Sequence, residues 1–379
     1  MDYNRHLQLS FKAVELYGHI EDELLRMVAK RLKRTGAAFA FEEQEGGKTV
    51  VYQAWQVKMM NELGSLNNEA IQRIAQYSGL AEREVMSMLY EAGYGQLDMS
   101  EKMMNEAFDK SLLDFKPPVP DDDQQLLRIL QTYENQALSE LNMVNSRLLQ
   151  GVNQVYADIV NTSVAEVISG IKTPQQAIAD TIKKWSHKGV PVFQDKAGRQ
   201  WATDTYLNMV LRSMNNNIAN GMQDARMEAY GVEYIEVSSK SIARPLCAPY
   251  QGRIFYTGSG TDPLKKYPHF NSTSHGEPAG LFGINCGHFK YPYIPGLNTP
   301  TYEPYEASEV AEKYELTQKQ RYFERRVRQF KREEMMFGAA GDPENAKKAS
   351  QKKLAEQKRL RSFTEEHSLS RRLDRERVY

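Results

Sequence analysis

Cysteine is scarce in this chain. Its 379 residues hold two, too few for a disulfide framework and in keeping with a reducing compartment. No run of about 18 apolar residues occurs, which excludes a membrane-spanning helix. The opening Met1-Asp-Tyr-Asn-Arg-His6 also lacks the apolar stretch of a signal peptide. Net charge is missing too: 49 basic side chains stand against 49 acidic ones, so no global pull towards nucleic acid or membrane follows. The balance is uneven, however. Residues 311–379 carry 19 basic and 12 acidic side chains, an excess of 7 that the rest of the chain offsets.

Helical periodicity dominates what is present. Ala13, Leu16, Tyr17, Ile20, Leu24, Met27 and Val28 form one apolar face over residues 7–34. Shorter helices are predicted over 50–63, 65–77, 81–92 and 100–115. Residues 65–92 have helix-turn-helix proportions with a break at Gly79, although Arg83 to Tyr90 lacks the basic cluster of a DNA reader. Lys116-Pro-Pro-Val-Pro-Asp-Asp-Asp123 reads as a linker, because its prolines forbid a helix. From 124 to 169 a long helix is expected, with Ala137, Leu141, Val144, Leu148, Val152, Val155 and Ile159 in one stripe. Such a rod, roughly 70 Å long at about 1.5 Å per residue, packs against others within the chain or in an oligomer. Thr173-Pro174 opens a further helix to about 187. Residues 190–203 read as a small hairpin, and another helix spans 205–230. After 305 two charged helices, 308–337 and 344–372, form a tail whose last part is expected to be a solvated arm.

Residues 232–296 are different. They contain both cysteines and three of the seven histidines, and they are dense in proline and glycine, which rules out long helices there. Val232-Glu-Tyr-Ile-Glu-Val237 and Arg253-Ile-Phe-Tyr256 are predicted strands. The expected fold is mainly α with a small α+β, loop-rich Cys/His module, an extended helical N-terminal region and a charged helical C-terminal tail. In order, the segments are 1–115, the linker 116–123, 124–230, the module 231–296 and the tail 297–379.

Several chemistries fit the module. Cys247, Cys286 and His288, with His269 or His275 as a fourth, offer a zinc ligand set, although only Cys286 and His288 are close in sequence. Two buried thiols in a tight loop core is the plainer reading. A Cys247–Cys286 disulfide and a Cys286/His288 nucleophile pair with Asn285 nearby are the others. Paired carboxylates are scarce, with Asp262 and Glu277 the candidates after Glu236. No catalytic residue or cofactor is therefore assigned, and zinc stays a candidate. Arg212 and Asn215-Asn-Asn217, on the helix feeding the module, read as a polar surface face; alternatively Arg212 bonds loop carbonyls and locks the module's halves together.

Taken together, Ala243-Arg-Pro245, Cys247-Ala-Pro-Tyr-Gln-Gly252, Gly276-Glu-Pro-Ala-Gly-Leu-Phe-Gly-Ile-Asn-Cys286, His288 and Tyr291-Pro-Tyr-Ile-Pro-Gly296 form a long motif. It resembles the minor capsid protein 2 family of tailed bacteriophages, which is related to the Mu F-like head morphogenesis proteins. Thr173-Pro-Gln-Gln-Ala-Ile178, Tyr206 and Arg212 fit as well. The resemblance implies a non-enzymatic, low-copy structural protein inside the phage head near the portal, acting in head assembly, DNA packaging or DNA delivery. Portal, scaffold or major capsid protein would be its partners, and it would pass through the host cytoplasm during assembly. Arg212, Cys247, Gln251, Gly252, Cys286 and His288 are the positions so implicated, and Arg244 joins them as a structural residue of the module. The chain departs from the family pattern at Lys240, where histidine is usual, and at His275. The basic tail suggests phosphate contact with packaged DNA. The rival functions are a metal- or thiol-dependent hydrolase or transferase built on the module, and a DNA-binding accessory protein.

Overall fold

Amphipathic periodicity is realised as long helices in a computed structural model that describes residues 8–36 and 47–379. The elements are α1 (Phe11–Gly36), α2 (Gly47–Asn61), α3 (Leu63–Asp109), α4 (Gln124–Ile168), α5 (Pro174–Lys188), β1 (Pro191–Gln194), β2 (Gln200–Ala202), α6 (Thr203–Tyr230), β3 (Tyr234–Val237), β4 (Ile254–Tyr256), β5 (Lys290–Pro292), α7 (Ala307–Ala340) and α8 (Pro343–Glu366). The protein is mainly α with a small α+β part. It divides into two compact units. Of the described residues, one comprises those up to 14, 82–140 and 207–317; the other comprises those from 15 to 81, 141–206 and 318–379.

The second unit is helical apart from the β1–β2 hairpin. In α1 the stripe Tyr17, Ile20, Leu24 and Val28 is wholly buried, as are Leu141, Val144, Leu148, Val152, Val155 and Ile159 of α4. Thr173 caps α5 in a capping box with Gln176. Charge is also buried here. Arg332 bonds Asp22 at 2.8 Å and Glu21 at 2.7 Å, Glu21 accepts the Val190 N–H, and Arg328 pairs with Asp204.

The tail is not a solvated arm. Ala349, Glu356, Leu360 and Thr364 of α8 are buried. Residues 371–379 return to α1, where Arg377 meets Glu15 at 2.8 Å and Asp22 accepts the Tyr379 N–H. Arg371 and Glu376 form a bidentate pair, and Arg375 reaches Glu324. Much of the positive excess is thus paired within the chain. What remains on α8 is a stripe of exposed side chains, Lys347, Leu354, Lys358 and Arg361, spaced to share one helix face.

The expected turn at Gly79, which belongs to the second unit, is absent, because α3 runs unbroken through it. One helical glycine costs only about 1 kcal/mol, and the buried Ile74, Ala81, Val85 and Leu89 hold the flanks. Further along, Gly93 lets α3 approach α6: a methyl there would lie 2.4 Å from Met222 Sδ. The linker is seated as well. Asp123 caps α4 through the Gln125 N–H and accepts from Arg226, whose fully buried guanidinium also grips both oxygens of Glu101. The module is an antiparallel sheet in the order β4-β3-β5, with Tyr234 opposite Tyr256 and Glu236 opposite Tyr291. Its core joins Ile235, Val237, Phe255, Phe270, Leu281 and Phe282 to Met227 and Tyr230 of α6 and Met104 of α3.

Candidate functional site

Two turns of the module meet at one buried point. In the first, Cys247 and Ala248 both donate their N–H to the Arg244 carbonyl, and Pro249 fits the short 3-10 turn Ala248–Tyr250 that follows. Gly252 then donates to Val237 of β3, at a φ of +64° that favours glycine. In the second, the bonds Gly280 N–H to Glu277, Gly283 N–H to Gly280 and Cys286 N–H to Gly283 wind a compact loop. Phe282 and Asn285 sit there at positive φ. The loop delivers Cys286 and His288 just ahead of β5.

Cys247, Cys286 and His288 are thereby brought together. Their exposures are 1%, 4% and 0%, and their ligand atoms lie within 4.8 Å of one another. Cys286 Sγ is 3.4 Å from His288 Nδ1 and 4.0 Å from Cys247 Sγ. Both thiols are free. On the other side of the ring, His288 Nε2 lies 3.2 Å from Gln251 Oε1, which also accepts the Lys240 N–H at 3.0 Å. An oxygen already facing one donor requires another donor on the ring, so Nε2 carries the proton and Nδ1 presents its lone pair to the sulfurs. The His288 carbonyl accepts from the side chains of Asn216 and Asn220, and Asn220 Oδ1 takes the Lys290 N–H.

The electrostatics follow from this arrangement. Cys247 is pushed up by its bond to Cys286 and by burial. That same bond holds Cys286 down against burial. Burial depresses His288 and keeps it neutral. Arg244 reaches Cys247 Sγ at 3.9 Å and spends its other bonds on the Ile284 and Gly280 carbonyls.

His269, the expected fourth ligand, lies elsewhere. Its Nε2 bonds the Gly258 carbonyl at 2.9 Å and its Nδ1 accepts the Asn271 N–H. His275 is exposed and lies tilted against Phe270, ring centroids 4.8 Å apart. Gln251 and Gly252 belong to the turn that orients His288, and Arg212 stands on α6, partly buried. Loop carbonyls of the module are bonded by Arg244, Asn216 and Asn220. Asn215 and Asn216 are 0% and 1% exposed, so this stretch of α6 is a buried polar face and not a surface one. Sequence reasoning missed Asn220 altogether. Its only signal was the i, i+4 spacing from Asn216.

The profile of the family described as phage minor capsid protein 2 matches residues 3–365. The chain belongs to that family. It is 31% identical over 336 residues to a structural protein of Lactococcus phage LL-H, covering 86% of this chain and 89% of that protein. A structural protein of Lactococcus phage mv4 is 34% identical over 114 residues, 30% of this chain and 93% of the relative. No solved structure matches significantly. Membership in the minor capsid protein 2 family makes the chain a structural component of a phage particle. Among the described residues no helix is long and apolar enough to cross a membrane.

Proposed function

We propose that the protein is a non-enzymatic minor component of the phage head, held inside it near the portal and contacting portal, scaffold or coat protein during assembly or DNA delivery. The observation that supports a structural role is the sealed Cys/His cluster. With exposures of 0 to 4%, neither thiol meets solvent, and the ring nitrogen and carbonyl of His288 are spent on holding Gln251, Asn216 and Asn220. A nucleophile needs an approach path and a base free to move a proton. Here the same groups knit two turns to a helix. Mass spectrometry of heads separated from tails tests the location: a few copies per head are expected, and recovery with tails alone overturns it. Incubation of the purified protein with panels of ester, peptide and glycoside substrates tests the rest, since turnover abolished by Cys286→Ala would establish the enzyme reading.

Contact with packaged DNA is a second reading. The exposed stripe Lys347, Lys358 and Arg361 supports it, because phosphate contacts need cations free of acidic partners.

A further inference from the structure

The spacing within the cluster is that of a ligand set. Zinc bonds thiolate sulfur at about 2.3 Å and imidazole nitrogen at about 2.0–2.1 Å in a tetrahedron, which sets sulfur–sulfur edges near 3.8 Å and sulfur–nitrogen edges near 3.5 Å. The corresponding separations here are 4.0 Å for the two sulfurs and 3.4 Å for Cys286 Sγ to His288 Nδ1. The third, Cys247 to His288, is within 4.8 Å. We propose that Cys247 Sγ, Cys286 Sγ and His288 Nδ1 bind one zinc ion, which staples the turn of residues 244–252 to the loop of residues 274–288.

Three independent features support this assignment. The first is the tautomer. Gln251 Oε1, fixed by the Lys240 N–H, holds the proton on Nε2 and leaves Nδ1 bare on the sulfur side. That is the outer support a metal-bound histidine requires. Turning the amide round would set its NH2 against the Lys240 N–H, donor against donor. The second is charge. Two thiolates cancel the charge of the ion, so the buried site gains no net charge, and the Arg244 N–H lies within reach of Cys247 Sγ. The third is need. Between 238 and 289 the module has only the three-residue strand β4 and two short 3-10 turns as regular structure, and a metal crosslink stabilises such loops directly. Among the described residues no fourth cysteine, histidine or carboxylate joins the group. A water molecule enclosed with the ion completes the tetrahedron.

The full chain, purified without a histidine tag or chelator, is analysed for metal by plasma mass spectrometry. About one zinc per chain is expected, with little left in Cys247→Ser, Cys286→Ser or His288→Ala. His269→Ala keeps its metal; loss there overturns the ligand set. Should the cysteine variants fail to fold, the unaltered protein is exchanged with Co2+. An intense thiolate-to-cobalt absorption with tetrahedral d–d bands supports the site. Folded protein with no bound zinc, no cobalt–thiolate band and unchanged thermal stability in chelator overturns it.

Discussion

Gly252 shows how one residue sets the geometry of the module. Its φ of +64° is costly for any other residue, and a methyl there would lie 2.4 Å from the Pro304 nitrogen and 2.5 Å from the Glu303 carbonyl carbon. Both neighbours are backbone and cannot rotate away. Gly252→Ala should therefore destabilise the first unit by at least about 2 kcal/mol, read from chemical denaturation. Asp262 does comparable work in the loop after β4. Although buried, its carboxylate accepts three backbone N–H groups, from Leu264, Lys266 and Tyr267, and the Tyr234 hydroxyl at 2.7 Å. Burial alone would raise its pKa, but these four donors outweigh it and pull it from 3.8 to about 2. A lowered carboxylate contributes stability above its unfolded value and loses it as pH falls through the folded one. Asp262→Ala should thus lower the melting temperature at neutral pH, and the gap to the unaltered protein should narrow between pH 3.8 and 2. A gap independent of pH would show that shape, not charge, is what the residue supplies. Of these roles, the sequence made only the glycine legible, through the turn and the family motif. A lone aspartate among prolines and glycines looks like any loop residue until its donors are seen.

At the scale of elements, the helices were readable because apolar residues recur every three or four positions, and the stripes of α1 and α4 are the buried ones. The hairpin and the capped start of α5 were equally plain. Three things were not. Strand β5 is three residues long, and its conformation comes from pairing with β3 rather than from local preference. Polar residues at helical spacing look alike whether they face water or a partner backbone, so Asn215 and Asn216 read as surface and Asn220 carried no signal of its own. Gly79 resembled a break because propensity is a weak prior that packing overrides. A methyl at Gly79 meets open space, so Gly79→Ala should stabilise the protein by about 0.5–1 kcal/mol. A true turn there would give no gain or a loss. Arg226 tests the opposite case. It joins α6 to Glu101 of α3 and to Asp123 at the start of α4, so Arg226→Ala leaves two carboxylates without their counter-ion. Equilibrium unfolding should register a cost of about 3–5 kcal/mol, and a double variant that also replaces Glu101 should recover part of it.

For the whole molecule, reading along the chain yields consecutive segments, whereas each compact unit gathers three separate stretches. Composition and periodicity carry no information on which distant stretches meet. The tail shows the consequence most clearly. Its charge suggested a free arm, yet Glu15, Asp22 and Glu324 supply partners that local sequence does not reveal. Removing residues 371–379 should accordingly lower the melting temperature of the second unit, whereas loss of a loose arm would leave it unchanged. The DNA reading is better tested with Lys347, Lys358 and Arg361 changed together to glutamine. Fold should survive, and the slope of log affinity against log salt should shrink by up to about 3. An unchanged slope removes this face from any contact with phosphate.

One further property follows from residues 293–306, which run without helix or strand from β5 to the start of α7. Glu236 of β3 accepts the N–H groups of Thr301 and Tyr302 at 2.7 and 2.6 Å, Tyr302 stacks on Tyr291, and the chain then passes over Gly252. Tension applied to the first turn of α7 reaches this strap before it reaches the sheet. Under such a load the two Glu236 bonds should part first, ahead of the turn carrying Gln251, an order that single-molecule pulling on the wild type and Glu236→Gln would read.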